Sequence, residues 1–135
     1  MEFSGKIEQY CKCKLSAEAN EFFNDLKDKA NSVAYKGECC SGTIEANKCY
    51  GGFSITLEIR SIQQDECELF RYDNQIRFMN LINKNFSYYV NVVNYLDEYR
   101  IFKAIPKHEF VTSAEIYNIG STEIIFRLEM KVPKN

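Results

Sequence analysis

Six cysteines carry the most reactive side chains of this 135-residue chain, and all lie in its first half: Cys11, Cys13, Cys39, Cys40, Cys49 and Cys67. Four thiolates in a tetrahedron hold zinc. The spacing here does not assemble one: there is no Cys-x2-Cys knuckle, and the single histidine, His108, is remote in sequence. On a strand, Cys11 and Cys13 share a face while adjacent Cys39 and Cys40 point to opposite faces. A helix of about 19 residues, roughly 28 Å long, separates the two pairs. The few residues after Gly37 cannot carry the chain back along it. All six are therefore read as thiols packed like small apolar groups, with no metal ligand and no structural disulfide among them.

His108 follows Pro106-Lys107 and precedes Glu109. General-base chemistry needs a nucleophile within reach and a group that orients the imidazole. Glu109, Ser113 and Glu115 are neighbours along the chain, which does not make a triad, so His108 is read as a solvent-exposed loop or strand-end residue. Gly51-Gly52 fits neither phosphate-binding glycine pattern and leads into a strand; it reads as a hairpin turn. The carboxylate pairs Asp65/Glu66 and Asp97/Glu98 fall in turns, where they are solvated. No catalytic residue and no cofactor site is expected, and the chain reads as a non-enzyme.

The remaining candidate is a stretch crowded with aromatics and cations. Tyr88, Tyr89, Tyr95 and Tyr99, with Arg77, Lys84, Arg100 and Lys103, form the predicted binding surface; Phe86 and Phe102 lie within it. Rings on a sheet flanked by Arg and Lys stack single-stranded bases, but the same surface serves a protein partner or a second copy of the chain. A net charge of −2 disfavours the nucleic-acid use.

The elements that must position these residues are legible in the hydrophobic periodicity. From Ser16 to Ala34, Ala19, Phe22, Phe23, Leu26, Ala30 and Val33 mark one face of a helix, with Ser16 as N-cap, Glu18 in the first turn and Gly37 as the stop. The period then shortens to two. Phe53, Ile55, Leu57 and Ile59 alternate with polar residues, as do Ile124, Phe126, Leu128, Met130 and Val132. Phe86, Tyr88, Val90 and Val92 form another row, and Tyr99, Ile101, Lys103 and Ile105 a looser one. Turns fall at Asn47–Gly52, Gln63–Glu66, Asp97-Glu98 and Asn118–Ser121. Ile76, Met79 and Ile82 permit a short second helix near 74–83, capped by Asp73. The spacing predicts an α+β fold: a strand at about 3–13, one long N-terminal amphipathic helix, and a curved, predominantly antiparallel sheet of six to eight strands.

Composition agrees with one globular domain over residues 1–135. Apolar residues make up 45% and charged residues 27%, with ten Phe, nine Tyr and no Trp. No apolar run reaches the roughly 18 residues of a membrane span. Met1-Glu2-Phe3-Ser4 has neither the basic nor the apolar region of a secretory leader, which places the expected location in the cytoplasm.

The opening unit carries a resemblance. A strand ending at Lys14-Leu15, followed by Ser16-Ala17-Glu18-Ala19-Asn20-Glu21-Phe22-Phe23-Asn24-Asp25-Leu26, resembles the start of START/Bet v1-like domains. The resemblance covers about 25 residues by pattern and implies a helix-on-sheet shape and a small hydrophobic ligand. The family's closing helix, one wall of its ligand cavity, has no counterpart in Thr122–Val132, a strand pattern followed by Pro133-Lys134-Asn135. Three functions follow in order. The first is a small protein-interaction or assembly module, homodimeric through a sheet surface or edge. The second is a START/Bet v1-like hydrophobic-ligand binder, and the third an accessory single-stranded nucleic-acid binder.

Overall fold

The computed structural model describes residues 5–11, 13–35, 40–62, 68–95, 101–119 and 123–134. Its elements run β1 (Ile7–Cys11), α1 (Ala17–Tyr35), β2 (Cys40–Cys49), β3 (Gly52–Ile62), α2 (Glu68–Phe86), β4 (Val90–Tyr95), β5 (Ile101–Pro106), β6 (Val111–Ile119) and β7 (Glu123–Pro133). The fold is α+β, with two helices and predominantly antiparallel strands. Gly37, Gln63–Glu66, Asp97-Glu98 and Gly120-Ser121 lie outside the described residues.

Helix α1 begins where the side chain of Ser16 can cap it: the Ala19 N–H donates to Ser16 Oγ at 3.2 Å. Ala19, Phe23, Leu26, Ala30, Val33 and Ala34 are buried and face β1, β2, β3 and α2. Strand β1 precedes this helix, so α1 is the second element and not an N-terminal one.

Two alternating rows meet directly in the sheet. Ile55 lies opposite Met130, Leu57 opposite Leu128 and Ile59 opposite Phe126, all with little or no exposure. Strand β2 joins β3 through a two-residue turn at Tyr50-Gly51, where Gly51 takes φ = 78°, the left-handed conformation glycine adopts without strain. Gly42 sits between β1 and β3, and a Cβ there would lie 2.5 Å from the Glu58 carbonyl oxygen and 2.8 Å from Ile7 Cδ1. Gly42→Ala is therefore expected to destabilise the chain by about 1–3 kcal/mol, read as a lower urea midpoint. An unchanged midpoint would show that β1, β2 and β3 do not pack this closely at Gly42.

Two expectations are corrected. The strands do not form one sheet: the order β1-β2-β3-β7-β6 makes a five-stranded sheet, and β4-β5 a separate two-stranded one. Pairing is predominantly antiparallel as expected, the exception being β1, which runs parallel to β2 with Ile7 opposite Gly42 and Cys11 opposite Ala46. The second helix is not short. It spans 19 residues, starts well before Asp73, and takes in Phe86, which closes a Phe78, Ile82, Phe86 stripe at helical spacing. Phe86 packs on Phe126 with ring centroids 5.2 Å apart. The strand that was to include Phe86 and Tyr88 begins only at Val90.

Candidate interaction surface

Of the predicted aromatic–basic surface, the side chains of Arg77, Lys84, Tyr88, Tyr89 and Lys103 are described. Arg77 and Lys84 are exposed on α2, and Lys103 is exposed on β5. Tyr95 ends β4, while Tyr99 and Arg100 lie outside the described residues. Tyr88 and Tyr89 occupy the turn after α2 and differ in burial: Tyr88 is 57% exposed and Tyr89 only 1%, with their rings edge-to-face at 5.2 Å.

Tyr89 anchors a cluster that binds three segments. Its hydroxyl donates to Asp25 Oδ2 on α1, and the Lys29 ammonium holds the same carboxylate at 2.8 Å while lying 5.5 Å from the Tyr89 ring centroid. Burial, and then the hydrogen bond to Asp25, raise the Tyr89 phenol above its ordinary pKa and keep it protonated. The Tyr89 carbonyl accepts the N–H groups of Lys107 (2.8 Å) and His108 (3.2 Å). His108 sits half-buried in the turn joining β5 and β6, with Phe22, Tyr88 and Phe110 rings within 5.3 Å of its own. Its Nδ1 accepts the Phe110 N–H at 3.0 Å. The solvent-exposed histidine of the sequence reading is instead an aromatic packing element.

The cysteines spread along the β1–β2 pair. The Cys13 thiol donates to the Ala46 carbonyl at 3.5 Å, at the end of β2 where Cys11 pairs. Cys40 is buried at the other end of β2, about 20 Å away at strand rise. Cys49 is half-buried at the hairpin turn. Cys39 and Cys67 lie outside the described residues. Among the described residues, no group of three or more His, Cys, Asp or Glu side chains is placed to hold a metal ion.

The surface feature most suited to binding lies elsewhere. Strands β5 and β6 follow each other through the 107–110 turn, yet β5 pairs with β4 and β6 with β7. Between them opens a cleft of about 460 Å³, lined by Ala104, Ile105, Ala114, Ile116 and Tyr117, with Lys103 and Glu115 at its rim. Ile105 (45% exposed) and Tyr117 (37%) leave apolar surface at its mouth. On the outward face of the large sheet Arg60 bridges Glu58 (2.9 Å) and Glu123 (3.6 Å), and Arg127 is bonded to Glu129 (2.8 Å). Sequence reasoning missed the cleft because no row was assigned to β6. The alanines at 104 and 114, both of which line it, are the one signal that could have marked it.

No protein-family model matches the chain, and no curated protein matches it. No helix among the described residues is long and apolar enough to cross a membrane.

Proposed function

We propose that this chain is a small, non-enzymatic protein-interaction module that takes an extended segment of a partner into the cleft between β5 and β6. One observation carries the reading: β5 and β6 are consecutive strands, each laddered on one side only among the described residues, and together they line a cleft with apolar walls. Strand addition uses such an edge, with main-chain hydrogen bonds for affinity and alternate side chains for specificity. Strand β6 offers the longer edge, at nine residues, whereas Pro106 deprives β5 of a donor.

Extended peptides selected on the protein from a displayed library should share alternating apolar positions. Ile105→Asp should weaken them about 10–100-fold, the worth of one buried aliphatic contact, without lowering the melting temperature. A library yielding no enriched peptide, or peptides that bind the variant equally well, would overturn the reading. The cleft volume also favours a second reading, a hydrophobic-ligand binder of START/Bet v1-like character, because small-molecule sites span about 300–1,000 Å³. Native mass spectrometry separates the two: a retained organic molecule adds mass to the 15.8 kDa chain, and a peptide site does not.

A further inference from the structure

We infer that β4 is a self-association edge, at which two copies of this chain pair antiparallel about a two-fold axis. This goes beyond the peptide-binding reading and uses a different strand. The hydrogen bond from Lys107 N–H to the Tyr89 carbonyl, next to the Val90–Pro106 pair, sets the alternation of the β4–β5 ladder. Residues 89, 91, 93 and 95 bond toward β5. Val90, Val92 and Asn94, opposite Pro106, Ala104 and Phe102, then aim their N–H and C=O groups away from it. Pro106, which has no N–H, fits its place in this pattern. On the side faced by Val92 and Asn94, no strand pairs with β4 among the described residues. Asn91 is exposed, and Val92 and Val93 are only partly buried.

The composition of the edge says what covers it. Proteins guard open edges with charge, proline or a bulge. Strand β1 carries Glu8, next to Lys6; β5 carries Lys103 and Pro106; β6 carries Glu115 and a register shift between Val111 and Ser113. Strand β4, Val-Asn-Val-Val-Asn-Tyr, carries no charge, proline or glycine. Such an edge complements itself: under a two-fold axis the same donors and acceptors meet, and no like charges are brought together. Pairing of this kind closes at two copies.

Sedimentation of the full chain at concentrations from ~1 to ~100 µM tests it, that being the affinity range of a small interface. The expected result is a monomer–dimer equilibrium, unmoved between low and high salt because no charge is involved. Asn91→Lys, at an exposed position, should weaken dimerisation at least tenfold. A wild-type chain that stays monomeric, grows beyond two copies, or dimerises as well with Lys at 91 overturns the inference. Hydrogen exchange on the unaltered chain gives a readout independent of any variant's folding. The Val92 and Asn94 amides should slow at least tenfold as concentration rises, and concentration-independent exchange there overturns the pairing.

Discussion

Replacing Phe23 with alanine is expected to lower the stability of the chain by about 3–5 kcal/mol. Phe23 is 2% exposed and lies on the buried stripe of α1 with Ala19, Leu26 and Ala30. Its helical neighbours Ala19 and Leu26 are themselves fully buried, so neither is free to fill the space a lost ring leaves. The strand residues it faces are fixed by their ladder and cannot collapse into the gap without breaking hydrogen bonds. A urea titration reads the result as a lower midpoint at constant slope. A midpoint that does not move would mean that α1 is not held to the sheet through this ring.

Raising the pH above 10 is expected to destabilise the protein through Tyr89. Its phenol titrates near 10 in the unfolded chain and higher in the fold, where it is buried and donates to Asp25. Above pH 10 the unfolded state therefore releases a proton that the folded state retains. The stabilisation is complete below pH 10 and is lost as the pH climbs from there toward the folded value, at about 1.4 kcal/mol per pH unit. Tyr89→Phe should remove that slope while costing about 1 kcal/mol at neutral pH, because Asp25 keeps Lys29 as a partner. Urea midpoints of both proteins between pH 9 and 11.5 isolate this one tyrosine from the other eight. Parallel losses in the two proteins would show that Tyr89 is not the group responsible.

The parts of the fold that could be read in advance were those where one side of an element is buried and the other is not. Ile55, Leu57 and Ile59 announce a strand by alternation, as Phe126, Leu128 and Met130 do, and these rows pair with each other. Strand β2 escaped because the residues it turns inward are Cys40, Gly42, Ile44 and Ala46, too small on average to mark a period. Alternation also has no direction, so nothing in Ile7–Cys11 told parallel from antiparallel pairing. Phe86 belonged to two patterns at once, the strand row with Val90 and Val92 and the helical stripe with Phe78 and Ile82. Its ring against Phe126 belongs to the second. The candidate site was the least legible part. Tyr88 and Tyr89 carry the same side chain and differ only in burial, and the cleft beside β6 lies between two strands that are not laddered to each other.

The parallel β1–β2 pair also bears on the order in which the chain assembles. Ile7 meets Gly42 only after 35 intervening steps of chain that include all of α1, whereas β2 finds β3 across a two-residue turn. Joining β1 thus carries the loop-closure entropy of a long segment in return for five residue pairs. The hairpins can zip first and present a finished edge, and β1 docks on it once α1 has folded back along the sheet. Strand β1 is then the last to be secured. Its release leaves every antiparallel ladder among the described residues intact.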